Sequence, residues 1–337
     1  MIIVLKPGIA KKDEAAVLKE IRRLGYQPHV MRGVARTVIG AIGDERTHKS
    51  LETLASWAQV ESVMPIQKRY KLVSREAHVK GSTIDVRGNV IGGKKVQVMA
   101  GPCSVESETQ LMTTAHAVKK AGATILRGGA FKPRTSPYEF QGLGEKGLKL
   151  LAKARQETGL AIITELLSEQ QADLVAEFAD ILQIGTRNAH NFQLLIAAAR
   201  TGKPVLLKRG LSMKIEEWLL AGEYILANEN PNLMFCERGV RTFETFTRNM
   251  LDLSAIPIIK KESHCPIVID PSQGSGRADL VASMCKGAVA MGADGLLIEV
   301  HPNPAEAWSD GAQQVTLEGF AELMEELKPF IAAAGRE

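Results

Sequence analysis

The chain has 337 residues, 45% of them hydrophobic and 24% charged, the profile of a globular protein with room for one large domain and one small one. A formal net charge of +4 is too small to point to nucleic acid or a membrane surface as partner, and no apolar stretch reaches the ~18 residues of a membrane span. Cys103, Cys236, Cys265 and Cys285 lie far apart without paired spacing, which suggests reduced thiols in the cytoplasm; the opening Met1-Ile2-Ile3-Val4-Leu5-Lys6-Pro7 reads as a strand and not as a signal peptide.

In chain order, Ile2–Leu5 reads as a strand, and Val17, Leu18, Ile21 and Leu24 mark one helix face closed by Gly25. Strands are expected at Gln27–Met31 and Thr37–Ile42. Leu51, Leu54, Ala55 and Ala58 then predict a second helix, and Val60–Ile66 a last strand. The order βαββαβ over residues 1–66 is that of a ferredoxin-like domain. It carries no cluster of reactive side chains, since His29 and His48 stand alone, so a regulatory role is the natural expectation. Residues 67–95 are expected to be a polar, basic linker (Lys68, Arg69, Lys71, Arg75, Lys80) followed by a hairpin around Gly88-Asn89.

Over 96–337, strand and helix patterns alternate. Strands are predicted at Val96–Ala100, Thr124–Leu126, Ala161–Glu165, Ile181–Ile184, Pro204–Lys208, Leu233–Glu237, Pro266–Asp270 and Gly295–Val300. Helix faces are read from Ile215, Trp218, Leu219, Gly222, Ile225 and Leu226, from Leu280, Met284, Ala288 and Met291, and from Leu317, Phe320, Met324 and Leu327. This alternation predicts an α/β fold, a (β/α)8 TIM barrel behind the small domain, with an open doubly wound sheet as the alternative.

In such a barrel the chemistry sits where strands end. Those ends deliver Arg127, Lys132, Arg134, Arg187, Lys208 and Arg238, and six cations at one mouth would repel one another unless phosphorylated substrates lay between them. In Leu126-Arg-Gly-Gly-Ala-Phe-Lys-Pro-Arg-Thr-Ser-Pro137 the glycines permit close approach of the backbone, and the prolines restrict the loop. A second group, Cys103, Glu299 and Asp310 with Gln273 or a histidine nearby, offers thiolate and carboxylate donors. Such donors suit a divalent ion such as Mn²⁺, Fe²⁺, Co²⁺ or Zn²⁺. Taken singly, Cys103 reads more often as a small buried apolar residue.

At these residues the sequence resembles 3-deoxy-D-arabino-heptulosonate 7-phosphate (DAHP) synthase, of the type Iβ branch with an N-terminal ferredoxin-like domain. The matching stretches are Ala100-Gly-Pro-Cys-Ser104, Leu126-Arg-Gly-Gly129, Lys132-Pro-Arg-Thr-Ser-Pro137, Gln141-Gly-Leu-Gly144, Gln183-Ile-Gly-Thr-Arg-Asn188, Leu207-Lys-Arg-Gly210, Cys236-Glu-Arg-Gly239 and Glu299-Val-His-Pro302. Tyr70-Lys-Leu-Val-Ser-Arg-Glu76 adds to them, so the likeness spans nearly the whole chain.

The resemblance implies condensation of phosphoenolpyruvate with erythrose 4-phosphate, the entry to aromatic amino acids. By position, Arg127, Lys132, Arg187, Lys208 and Arg238 would hold phosphoenolpyruvate; Arg134, Thr135 and Ser136 would engage erythrose 4-phosphate. Lys132 would stabilise or protonate the new alkoxide, with Asp310 sharing that proton work, and a divalent ion, Mn²⁺ first among the candidates, would lie on Cys103, Gln273, Glu299 and Asp310. The resemblance also implies a homotetramer and a tyrosine or phenylalanine effector on the N-terminal domain.

One position departs from the family pattern. Gln273 stands where a metal-ligating histidine is expected, so the ion is expected to be held more loosely, with His264 and His301 as poor substitutes. Two other readings compete. One is a Schiff-base aldolase using Lys208 as the amine; the other is a regulatory or scaffolding pseudo-enzyme that has lost the histidine ligand.

Overall fold

The computed structural model describes residues 1–33, 36–43, 50–64 and 68–337. The chain divides into two units, Met1–Arg69 and Tyr70–Glu337.

In the first unit, strand β1 (Ile2–Leu5) leads to helix α1 (Lys11–Arg23), then β2 (Gln27–Arg32), β3 (Thr37–Ile42), a 3₁₀ helix (Leu51–Ser56) and β4 (Val60–Met64). The strands form one antiparallel sheet in the order β2-β3-β1-β4. Alternate residues Ile3, Leu5 and Ile39 point to one face and bury against Val17 and Ile21 of α1 and Leu51 and Leu54 of the 3₁₀ helix. The second helix expected over Leu51–Ala58 is this six-residue 3₁₀ helix, about two turns long. Ser50 Oγ caps it by accepting from Glu52 N, and Leu51 and Leu54 at spacing i, i+3 are buried, while Ala55 and Ala58 are exposed. Ile66 and His48 lie outside the described residues.

The second unit opens with a hairpin of β5 (Ile84–Val86) and β6 (Asn89–Ile91). Eight βα units follow: β7 (Gln97–Gly101), α2 (Glu108–Lys120), β8 (Ile125–Arg127), α3 (Glu145–Thr158), β9 (Ala161–Leu166), α4 (Ala172–Phe178), β10 (Ile181–Ile184) and α5 (Phe192–Arg200); then β11 (Val205–Lys208), α6 (Ile215–Leu226), β12 (Leu233–Glu237), α7 (Ala255–Glu262), β13 (Ile267–Ile269), a short α8 (Pro271–Ser275), α9 (Ala278–Ala290), β14 (Gly295–Glu299) and α10 (Leu317–Ala333). The strands close in the order β10-β11-β12-β13-β14-β7-β8-β9, all parallel. This is the (β/α)8 barrel the alternation predicted.

Apolar residues on both faces of each strand explain the closure. Met99, Ile125, Ile163, Ile181, Leu206, Met234, Val268 and Leu297 fill the barrel interior; their alternates, such as Val98, Leu126, Leu182, Leu207 and Phe235, pack under the helices. The interior set includes Ile84, Val86 and Ile91, so the hairpin plugs the N-terminal end of the barrel.

Two local readings are revised. The basic stretch from Tyr70 onward, read as linker, is tied to the barrel: Glu223 accepts from the backbone N–H groups of Lys71, Leu72 and Val73, and Tyr70 Oη donates to Glu262 at 2.8 Å. Its lysines and arginines concealed two buried apolar residues, Tyr70 and Val73. The face of α9 is also rotated from the expected one. Val281, Cys285, Ala288 and Val289 are buried, while Met291, taken as part of that face, is exposed beyond the helix end. All four cysteines are buried and free. Among the described residues no helix is long and apolar enough to cross a membrane.

Candidate active site

A cavity of about 270 Å³ opens at the C-terminal end of the barrel, and strand ends supply its wall. Its lining includes Lys132, Arg134 and Thr135 from the loop after β8, Glu165 from β9 and Gln183 from β10. Arg187, Lys208, Arg238 and Gln273 follow β10, β11, β12 and β13, and Asp310 lies in the loop after β14. Arg127, Cys103 and Glu299 are buried, joined to this wall through Lys132 and Asp310. Ser136 does not reach the wall; its Oγ accepts from Tyr138 N on the exposed part of the loop.

Three groups of contacts organise the mouth. In the first, Arg127 at the end of β8 donates through Nη1 to Glu299 Oε1 at 2.9 Å and to Pro102 O at 2.8 Å, while its Nε is buried without a hydrogen-bond partner among the described residues. Arg238 Nε is buried and unpartnered in the same way. Leaving two guanidinium donors dry costs about 1–3 kcal/mol each unless a ligand accepts from them.

In the second group, Lys208 Nζ lies 2.5 Å from Asp270 Oδ2 and 3.2 Å from Gln273 Oε1. Asp270 also caps the short α8 by accepting from Gln273 N, so the predicted strand end Asp270 serves as a helix cap.

The third group centres on Cys103. Its Sγ lies 3.0 Å from Lys132 Nζ and 3.5 Å from Asp310 Oδ2. Gly129 makes the first approach possible, because a Cβ there would come within 2.8 Å of Lys132 Cδ. One ligand atom from each of Cys103, Glu299 and Asp310 can be chosen so that all lie within 4.8 Å of one another. One sulfur and two carboxylates form a donor set that fits a borderline divalent ion.

Burial pushes the Cys103 thiol up to about 11, with Glu299 adding to the effect and Lys132 and Arg127 opposing it. Lys132 is held above the ordinary lysine value: burial alone would lower it, but Cys103 and Glu165 outweigh that. Asp310 would likewise be raised by its burial, yet Arg248 and Lys132 hold it below the usual carboxylate range.

Several wall residues were not among those read from the sequence. Glu165 is the last residue of a predicted strand, and the inspection of strand ends could have found it. Gly185 makes room for it, since a Cβ there would fall 1.9 Å from Glu165 Oε1. Arg241, Arg248 and Asn249 sit in the middle of the loop between β12 and α7, where no strand end points to them. Arg248 donates to Asp310 Oδ1 at 3.2 Å and to Gln313 Oε1 at 3.0 Å, and Gln313 donates in turn to Glu299 Oε2 at 2.6 Å.

Other candidates fall away from the mouth. Arg209 is committed to structure, with Nη1 on Glu237 and Asp252 at 2.9 and 2.8 Å. His301 pairs with Glu106, and His264 bonds Ser82 and Leu72 O near the start of the barrel unit.

Fold and site together define a (β/α)8-barrel enzyme with a strongly basic mouth. The chain belongs to the DAHP synthetase I family, whose model matches residues 73–333, while residues 1–68 match the DAHP synthase ferredoxin-like domain. It is 50% identical over 335 residues, 99% of each chain, to the phospho-2-dehydro-3-deoxyheptonate aldolase of Thermotoga maritima. The crystal structure of a DAHP synthase from that organism superposes with a TM-score of 0.96, covering 100% of this chain and 98% of the other. A more distant relative, the 2-dehydro-3-deoxyphosphooctonate aldolase of Caulobacter vibrioides, is 33% identical over 70% of this chain and 87% of its own length. The Schiff-base aldolase reading is set aside on this membership. Ion pairing of Lys208 with Asp270 also keeps its amine from acting as a free nucleophile.

Proposed function

We propose that this enzyme condenses phosphoenolpyruvate with erythrose 4-phosphate and water to give DAHP and inorganic phosphate. The observation that carries the proposal is the charge of the cavity: seven basic side chains line it against three carboxylates, and the unpartnered Nε atoms of Arg127 and Arg238 lie buried beside it. A small ligand with a carboxylate and a phosphate offers the acceptors this arrangement lacks.

In this reading Arg127, Lys132, Arg187, Lys208 and Arg238 hold phosphoenolpyruvate, and Arg134, Thr135 and Ser136 take the sugar phosphate from the outer loop. Arg134 and Ser136 are both bonded to Glu139, at 3.1 and 3.4 Å, and would exchange that carboxylate for the incoming phosphate. Holding both substrates together supplies much of the rate through orientation. Cys103, Glu299 and Asp310 would hold a divalent ion, Mn²⁺ by preference with Fe²⁺, Co²⁺ and Zn²⁺ as alternatives, which when bound acts as a Lewis acid towards the aldehyde oxygen.

As C3 of phosphoenolpyruvate bonds to the aldehyde carbon, Lys132 Nζ gives a proton to the oxygen that becomes the hydroxyl; Asp310, held below the usual carboxylate range, has no proton to give and would serve as a ligand of the ion. Glu165 orients the water that adds at C2 and takes its proton. The bond from C2 to the phosphate ester oxygen then breaks, phosphate leaves with its electron pair and takes up the proton of the C2 hydroxyl, and C2 becomes the ketone carbon.

Incubating the purified chain with both substrates and Mn²⁺ should release one phosphate per phosphoenolpyruvate consumed. Absence of phosphate release would favour the scaffolding pseudo-enzyme. A preference for a five-carbon sugar phosphate would instead place the activity with the deoxyphosphooctonate aldolases.

The N-terminal unit is proposed to bind an aromatic end product, tyrosine or phenylalanine, and to restrict access to the barrel; the working form is proposed to be a cytoplasmic homotetramer. Deletion of residues 1–69 is expected to leave turnover within about twofold, because the barrel unit has its own core, and to abolish inhibition by the effector. Steady-state assays with and without tyrosine and phenylalanine test this. Equal inhibition of the truncated and full chains would refute it.

A further inference from the structure

Gln273 occupies a position whose likeness to the family pattern suggested a metal ligand, but its surroundings point elsewhere. Both ends of its backbone are fixed: its N–H donates to Asp270 Oδ1 at 2.9 Å, and its carbonyl accepts from Asn249 Nδ2 at 2.9 Å. The side chain is thereby aimed between two cations. Its Oε1 accepts from Lys208 Nζ at 3.2 Å and from Arg238 Nη2 at 3.4 Å. An amide oxygen has two lone pairs, and here two cationic donors use them. A divalent ion on the same oxygen would have to share it with an ammonium and a guanidinium a few ångströms away, which Coulomb repulsion opposes.

The donor set for the ion draws its support from other residues. Gln313 bonds Glu299, Arg248 bonds Gln313 and Asp310, and Lys132 bonds Cys103. Each glutamine thus serves a separate charge group. A neutral acceptor is also the side chain suited to the place between Lys208 and Arg238. Glutamate there would cancel charge meant for the substrate, and a histidine nitrogen that carried a proton would face two further donors.

We infer that Gln273 is a positioning residue of the anion site, holding the Lys208 ammonium and the Arg238 guanidinium for phosphoenolpyruvate, and that Cys103, Glu299 and Asp310 hold the divalent ion without it. The inference rests on the reaction proposed above.

The test is Gln273→Met, which keeps the side chain's length and removes both amide atoms. Mn²⁺ binding is measured by equilibrium dialysis of the full chain without substrate, and phosphoenolpyruvate binding by calorimetry without Mn²⁺. The expected result is Mn²⁺ affinity within about twofold of the parent and phosphoenolpyruvate affinity weakened about tenfold, at an unchanged thermal midpoint. Gln273→Ala should give the same split if the thioether disturbs the packing of α8. A loss of Mn²⁺ affinity of about tenfold or more, or undiminished phosphoenolpyruvate binding, overturns the inference. A parent chain that binds no phosphoenolpyruvate overturns the proposed reaction itself, and that is read before any variant is made.

Discussion

Lys132→Met is expected to lower kcat by about 10³-fold, the middle of the range for losing a positioned proton donor. Lys132 is buried, and its Nζ sits 3.1 Å from Cys103 O and 3.0 Å from Cys103 Sγ, at the boundary between the anion cluster and the candidate ion ligands. Burial alone would lower the Lys132 amine, but Cys103 and then Glu165 hold it above the ordinary lysine value. In the proposed reaction a cation in this place would both draw in an anionic substrate and face the oxygen on which negative charge develops.

Methionine preserves the packing and takes one buried charge out of a crowd of like charges, which removes a desolvation cost and some repulsion. An unchanged or raised thermal midpoint alongside the lost turnover would therefore separate chemistry from folding. Lys132→Arg should not rescue, since a planar guanidinium cannot take the place of an ammonium between Cys103 O and Sγ. A methionine variant retaining a tenth or more of the parent kcat would remove Lys132 from the proton path.

The barrel was legible because its strands are short runs of apolar residues with nothing else to become. Ile181–Ile184 and Leu233–Glu237 match to the residue, since buried parallel strands carry apolar side chains on both faces. The cations were legible for a related reason: each ends such a run or lies in the loop that follows it, and closure of the barrel carries strand ends to one rim. What failed to show were residues whose role depends on a partner distant in sequence. Arg248 gains its place by reaching Asp310 across 62 positions, and Gln313 by reaching back to Glu299 from its own loop.

Gln273 shows the same dependence: its amide oxygen accepts from Lys208 and Arg238, 65 and 35 residues earlier, contacts that no local pattern announces. The second helix of the small unit was overread for a local reason. Leu51 and Leu54 fit helical spacing, but Trp57 is extended and β4 begins at Val60, so the chain completes only a short 3₁₀ helix over Leu51–Ser56.

Chelation of the purified enzyme, checked by metal analysis, is expected to reduce turnover by at least about 10³-fold, with added Mn²⁺ restoring it, since a Lewis acid on a carbonyl oxygen is worth several kcal/mol. The expectation follows from how the charges are already spent. Glu299 is balanced by Arg127 at 2.9 Å and Asp310 by Arg248 at 3.2 Å, so neither arginine is free to take over the ion's part on the aldehyde oxygen in the proposed reaction. The Cys103 thiol, pushed up to about 11 by its burial, is neutral near pH 7 and serves as a ligand only when an ion displaces its proton.

Cys103→Ala should reproduce the chelated state in a form that Mn²⁺ does not reverse, because it takes away the sulfur and leaves two carboxylates that already have arginine partners. Chelator should then produce little further loss in that variant. Turnover above a tenth of the parent value in metal-free enzyme would show that Lys132 and the surrounding arginines polarise the aldehyde without an ion. Cys103, Glu299 and Asp310 would then be a hydrogen-bonded cluster whose task is to hold Lys132 in place.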